Sequence, residues 1–197
     1  MTLIRNLKRH VPDLDLEFHG HNDLGMATAN AVTAVDSGAA ALSVTVNGLG
    51  ERAGNAPLEE VIMALFEVGG YRKELDTGRL TDLCHMVARA SGHAIDVFKP
   101  ITGANIFRHE SGIHCAGLLK KKSSYQLFEP EQVGSQGAEY VIGYHSGSES
   151  VCHALKKQGI HISKQRARDL LPLIRKTALE QKKELTPLQL KTLYETS

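Results

Sequence analysis

The stretch from Leu14 to Asn55 constrains this chain most, because two alternating runs there flank an alanine-rich segment. In the first run Leu14, Leu16 and Phe18 fall on one face, and Asp15, Glu17, His19 and His21 fall on the other. A period of two marks a strand. Residues i and i+2 of a strand point the same way, so His19 and His21 present two imidazoles to one spot as a chelating pair. Asp23 to Asp36 predicts a helix, with Asn22 or Asp23 as candidate cap and Gly38 as stop. A second alternating run sets Leu42, Val44 and Val46 against Ser43, Thr45 and Asn47. Strand, helix and strand in this order predict a βαβ unit with parallel strands and a right-handed crossover.

The faces of that unit carry the reading further. The apolar face, with Leu16, Phe18, Val44 and Val46, must lie under helices. The face with the two histidines then turns inward, which suits a (β/α) barrel whose mouth is an active site better than an open sheet covered on both sides. His19 and His21 stand where the first strand runs into its loop, at the end that barrels use for chemistry. The loop after the second strand, Gly48 to Asn55, lies at the same end. Its three glycines allow tight backbone paths, and Glu51, Arg52 and Asn55 supply polar groups. Asn47, Glu51 and Arg52 are the candidate substrate or cofactor contacts. An isolated His-x-His is more often a surface coincidence than a ligand pair, and glycines also mark ordinary turns. Specificity comes from the combination.

The rest of the chain reads as helices and short polar approaches. Leu3, Ile4 and Leu7 recur at helical spacing until Val11-Pro12-Asp13 breaks the run. Pro57 to Val68 is amphipathic, with Pro57 suited to the first turn. Asp76 or Thr77 starts another helix that stops at Ser91-Gly92. Ser146 and Glu149 predict a capping box for a helix ending at Gly159, and Ser163 opens a longer basic helix that Pro172 should kink. Thr186-Pro187-Leu188-Gln189 predicts a second capping box before a last helix. Between these lies a second constellation, His109-Glu110-Ser111-Gly112-Ile113-His114, followed by Tyr125. On spacing alone, which does not force the two together, His114 reads rather as a capped helix residue and Tyr125 as a half-buried core phenol.

Composition narrows the classes. A net charge of +1 gives no reason to propose nucleic-acid or membrane binding. No apolar run approaches a membrane span, and the N-terminus lacks a signal-peptide pattern. Cys84, Cys115 and Cys152 are odd in number and widely spaced, which predicts reduced thiols and a cytoplasmic setting.

HGHNDLGMATAN followed by NGLGERAGNAPLEEV resembles the metal-binding segment of the DRE-TIM metallolyase superfamily in its acyltransferase branch. That branch holds homocitrate, 2-isopropylmalate and citramalate synthases, and the wording most resembles the homocitrate synthases associated with nitrogen fixation. The resemblance implies an α/β fold, about the last two βα units of a TIM (β/α)8 barrel followed by a mostly helical region. Residues 1–70 would be barrel, 71–145 a linker or lid subdomain, and 146–197 a helical C-terminal subdomain. It implies that His19 and His21 bind a divalent metal (Mg, Mn or Zn), with Asn55 at or near it. It also implies that His114 and Tyr125 handle protons, while Glu110 orients His114 or contacts substrate. The family's substrates would be acetyl-CoA and 2-oxoglutarate, and a homodimer would place each subdomain over the partner barrel. The family's first-strand Arg-Asp-Gly-Glu-Gln motif has no counterpart here, so the expectation is a truncated barrel, inactive alone. The chain's end without a regulatory domain favours the homocitrate type. Tyr144 stands where relatives usually have Lys, which puts in question any acidic contact made there. A 2-isopropylmalate or citramalate synthase, or a non-catalytic remnant serving dimerisation, remains an open alternative.

Overall fold

A computed structural model describes residues 2–71, 75–110, 126–135, 137 and 139–197. The chain divides into two units, Met1–Ile106 with Glu131–Ser135, and Phe107–Pro130 with Gln136–Ser197.

The first unit begins with helix α1 (Thr2–His10), whose apolar Leu3 and Leu7 stay exposed. Strand β1 (Glu17–His19) pairs in parallel with β2 (Ala41–Ser43), placing His19 opposite Ser43. Helix α2 (Ala27–Asp36) connects them. Phe18, Leu42 and Val44 pack with Leu65 against a core of Ala27, Ala31, Ala56 and Val61, as the alternation predicts. The alanines are small, so α2 can sit close to its strands, but they bury little apolar area each.

Three details differ from the sequence reading. The strands are three residues long, so among the described residues the unit is mostly helix and loop. Helix α2 starts at Ala27, not Asp23, because Gly25 takes a left-handed conformation (φ 71°) and Asp23 is committed to Arg52. Asn22 still serves the helix, its Oδ1 accepting from Ala27 N at 3.1 Å. Val46 leaves the strand pattern and opens a short 3-10 turn, Val46–Gly48, since Thr45 has already bonded onward to Ala56 and Leu58.

Helix α3 (Leu58–Glu67) starts after Pro57, and α4 (Leu80–Ser91) ends at left-handed Gly92. The Thr81 hydroxyl donates to Val133 O at 2.6 Å, which ties residues 131–135 to this unit.

The second unit is built around helices α5 (Ser148–Lys157), α6 (Lys164–Gln181) and α7 (Pro187–Glu195). Val151, Leu155, Leu170, Ile174 and Leu190, all at most 1% exposed, form its core. Arg108–His109 and Glu139–Tyr140 make a short parallel pair, β3 and β4. The Thr186–Gln189 capping box forms as predicted, and Ser163 caps α6. Helix α6 runs through Pro172, which faces solvent, where the carbonyl left without a donor is open to water. The Ser146–Glu149 box does not form. Ser146 Oγ instead accepts from Gly143 N at 2.9 Å, Gly147 takes the cap position, and Glu149 pairs with Lys164.

Candidate functional site

Strand β1 delivers His19, and the chain passes Gly20 to reach His21. The two imidazole centroids are 4.9 Å apart with planes at 87°, so the structure brings the pair together edge to face. His19 Nδ1 lies 3.2 Å from Ser43 Oγ on the neighbouring strand. With Nδ1 engaged, Nε2 is the ring nitrogen left for a ligand, the arrangement by which an outer partner fixes a ligating histidine.

His21 faces Asn55 across an isolated antiparallel bridge, flanked by Asn22 N to Gly54 O (2.9 Å) and Ala56 N to Gly20 O (3.2 Å). Asn55 is 8% exposed. Its side-chain amide donates to Leu49 O at 3.2 Å, while its Oδ1 and His21 Nδ1 are both buried without a partner. Leaving a buried acceptor unpaired costs about 1–3 kcal/mol. Two such atoms lie on bridged residues, where a donor or a Lewis acid could satisfy them.

The loop that carries Asn55 is tightly folded. Asn47 (φ 59°) and Arg52 (φ 56°) both take left-handed conformations that favour Asn or Gly. Gly54 (φ 86°) allows no side chain, since a Cβ would come within 2.1 Å of Gly48 O. A Cβ at Gly50 would collide with the Asn55 side chain at 2.5 Å. The loop glycines thus exist to let Asn55 pack inward, not merely to turn.

The other sequence candidates fall in different settings. Arg52 forks onto Asp23, Nε to Oδ1 at 3.0 Å and Nη2 to Oδ2 at 2.9 Å, both side chains about half exposed. The Arg52 hydrogen bond holds the Asp23 carboxyl below the usual carboxylate range. An acidic ligand would have to compete with Asp23 for that guanidinium. Glu51 is exposed. Asn47 donates its side-chain amide to Cys84 O at 2.9 Å and its backbone N–H to Glu59 Oε2 at 3.1 Å. Glu110 belongs to the second unit, where its Oε1 accepts from His145 N at 2.8 Å and sits against Gly143. His114 and Tyr125 lie outside the described residues. Tyr144 is 49% exposed and its ring stands edge-on to His145.

Two residues escaped the sequence reading. Glu59 is fully buried in the first turn of α3, and Lys99 Nζ meets it at 2.9 Å and Glu60 at 2.8 Å. A first-turn Glu-Glu pair ordinarily signals a solvated helix start. The available signal was Met63, four residues beyond Glu59 and therefore on the same face.

The group implied by the sequence is a divalent metal, and the donors fit one. Two imidazoles suit Zn and other transition ions best and the amide oxygen suits Mn or Mg, so the set fits Zn or Mn better than Mg. Among the described residues no third His, Cys, Asp or Glu joins the pair in a metal-holding cluster.

Residues 1–87 match the HMGL-like family model, whose fold is the TIM barrel. The chain carries an HMGL-like segment. Residues 101–182 match the model for the homocitrate synthase post-HMGL domain-like family. The chain is 46% identical over 183 residues to 2-isopropylmalate synthase 2 of Caldanaerobacter subterraneus, covering 93% of this chain and 47% of that protein. It is 43% identical over 180 residues to homocitrate synthase 1 of Nostoc sp., covering 91% and 48%. It is 42% identical over 205 residues to methylthioalkylmalate synthase 1-1 of Eutrema japonicum, covering 98% and 40%. The chain thus spans about half the length, or less, of these curated relatives. Relatives with three different names at similar identity do not single out the homocitrate type. Among the described residues no helix is long and apolar enough to cross a membrane.

Proposed function

We propose that this chain carries the metal-seating part of a synthase that condenses acetyl-CoA with a 2-oxo acid. The buried, unpartnered His21 Nδ1 and Asn55 Oδ1 beside His19 support that reading most directly. His19, His21 and Asn55 would hold a divalent metal, Mg, Mn or Zn. When bound, such a metal supplies Lewis acidity toward a ketone. Around the seat, Glu51, Arg52 and Asn47 line the loop as candidate substrate contacts. By resemblance of their motif, His114 and Tyr125 would handle protons, and Glu110 would orient His114 or contact substrate. In the overall reaction the acetyl-CoA methyl loses a proton, its carbon attacks the ketone, and water cleaves the thioester to release CoA.

For the 2-oxo acid we take 2-oxoglutarate, giving homocitrate of the kind used in the nitrogenase iron–molybdenum cofactor. The match of residues 101–182 to the homocitrate synthase post-HMGL family supports this choice. A 2-isopropylmalate synthase is the second reading, favoured by the 46% identical relative of that name. In this account residues 1–70 are the last two βα units of a barrel, 71–145 a lid and 146–197 a helical subdomain. The working form is a cytoplasmic homodimer, a setting with which the free thiols Cys84 and Cys152 agree.

By itself the chain should not turn over. Among the described residues no carboxylate joins the histidine pair, and loss of one preorganised charged group costs on the order of a hundredfold in rate. The test mixes the purified chain with acetyl-CoA, a divalent metal and a panel of 2-oxo acids, and follows free CoA thiol. The expected result is no release alone, and release with 2-oxoglutarate once a separately expressed N-terminal barrel half is added. Release only with a branched 2-oxo acid would favour the second reading. Brisk release by the chain alone would overturn its inactivity.

A further inference from the structure

Beneath the loop that carries Asn55 lies a buried charged group that no step above uses. Glu59 has no solvent exposure, yet it is ionisable and stands in the first turn of α3. One of its oxygens, Oε2, accepts the backbone N–H of Asn47 at 3.1 Å. The other, Oε1, is 2.9 Å from Lys99 Nζ, an ion pair whose aligned hydrogen bond goes instead to Glu60 Oε1 at 2.8 Å. Glu60 is in turn held by the Thr28 hydroxyl at 2.8 Å. Two carboxylates therefore share one ammonium, and only Glu59 reaches the loop.

What Glu59 touches is the loop's pivot. Asn47 sits in the left-handed region, and its side-chain amide is also fixed, donating to Cys84 O. An anchored Asn47 sets the direction of the next peptide. The carbonyl of that next residue, Gly48 O, accepts from Asn55 N at 3.0 Å and leaves no room for a Cβ at Gly54. Asn55 then meets His21 across the bridge. The physical chain is continuous: Lys99, Glu59, Asn47, Gly48, Asn55, His21. A charge-assisted hydrogen bond to a backbone N–H is stronger than a neutral one, so a carboxylate holds this pivot where an alkyl side chain would release it.

We propose that Glu59, clamped by Lys99, is a positioning residue that holds Asn47 in its left-handed turn and so presents Asn55 to the His19–His21 pair. This rests on the metal-seat reading, but the backbone arrangement it describes can be tested without metal.

The experiment uses the whole 197-residue chain, isotopically labelled, with Glu59→Gln, Glu59→Leu and Glu60→Gln compared with the wild type. NMR in metal-free buffer follows the Asn47 backbone amide, the Asn55 side-chain amide and the His21 ring resonances. Titration with Mn2+ follows affinity. Glu59→Leu should move all three sets of resonances and weaken Mn2+ binding by roughly tenfold or more, the range for loss of an outer partner of a ligand. Glu59→Gln keeps an acceptor of the same size. It should shift the Asn47 amide upfield while largely restoring the Asn55 and His21 signals. Glu60→Gln, which disturbs the same ammonium, should leave Asn55 and His21 unmoved. Should Glu59→Leu fail to fold, the Asn47 amide in Glu59→Gln decides the matter. Wild-type Asn55 and His21 resonances in Glu59→Leu, or a wild-type Asn47 amide in Glu59→Gln, would overturn the proposal. Absence of Mn2+ binding by the wild type, with the resonance changes present, would instead count against the metal seat and leave the positioning role standing.

Discussion

The two units keep their shape by different means. The second is held by apolar volume: Leu155, Leu170, Ile174 and Leu190 are essentially sealed from solvent. Its α6 and α7 helices are capped by Ser163 and Thr186. The first buries mainly alanines and one valine beside its sheet, and places Asn55, Glu59 and Thr102 inside. It also holds left-handed non-glycine residues at Asn47, Arg52 and Ile101, whereas the described part of the second has one, Lys182 at a helix end. A left-handed residue at a helix end is an ordinary terminator, while one in a loop beside unpaired buried acceptors is held there by its surroundings. The unit with the alanine-rich core beside its sheet is the one that holds three left-handed non-glycine residues away from α-helix ends, while buried polar atoms without a partner occur in both, Ser150 Oγ among them in the second.

The sharpest way to break this contrast is at Lys99. Burial works against its ammonium, but Glu60 and Glu59 outweigh burial and hold its pKa above the ordinary lysine value. Lys99→Met strands Glu59 without a counter-charge and should cost about 3–5 kcal/mol. Amide exchange should show the loss in α3 and the 47–55 loop first. A stability within error of wild type would mean that Glu59 does not depend on the pair.

Leu170→Ala makes the complementary cut, in an apolar core where Leu170 is 1% exposed. A loss of about 2–5 kcal/mol is expected from lost burial and the residual cavity. The exchange protection of α5 and α6 should fall, while the ring resonances of His19 and His21 stay in place. Movement of those resonances would show that the two strategies are not separate.

A smaller effect tests the polar interior by pH. Burial, with the Glu59 charge adding to it, pushes the Cys84 thiol up to about 12. A folded pKa raised in this way gives stability that is whole below the unfolded thiol's value, and is lost as pH rises through the folded one. Lys99, also raised, acts in the same sense. Urea melts from pH 8 to pH 11 should therefore lose up to about 1.4 kcal/mol per pH unit from Cys84, and Cys84→Ala should remove that slope. An unchanged slope in Cys84→Ala would contradict the buried-thiol account.

Much of this was legible in the sequence where a pattern is local. The α1 break at Val11, the Gly92 stop and the Thr186–Gln189 capping box depend on neighbouring residues, and each formed as read, whereas Pro57 stands just before α3 as its cap and not in its first turn. The period-two signal put Phe18, Leu42 and Val44 on the packed face, although the strands themselves are shorter than the pattern. What stayed hidden needs contacts distant in sequence. Ser146 looks like a cap but turns back to Gly143, and Glu59 looks like a solvated acid until Lys99, 40 residues on, is placed against it. The bridge of Asn55 to His21 is of the same kind, set by loop closure rather than by any local period. Asn47, read as a substrate contact, is found bonded to Cys84 O and Glu59, which leaves that role a proposal.

On the proposed reading, His19, His21 and Asn55 form a seat for a divalent metal. Calorimetric titration of the chain with Mn2+ and Zn2+, repeated on His19→Ala and His21→Ala, tests it most directly. Saturable binding of one ion to the wild type is expected, weakened at least tenfold in each variant, with paramagnetic broadening by Mn2+ centred on the His21 ring and the Asn55 amide. Equal binding by wild type and both variants, or broadening centred elsewhere, would contradict it.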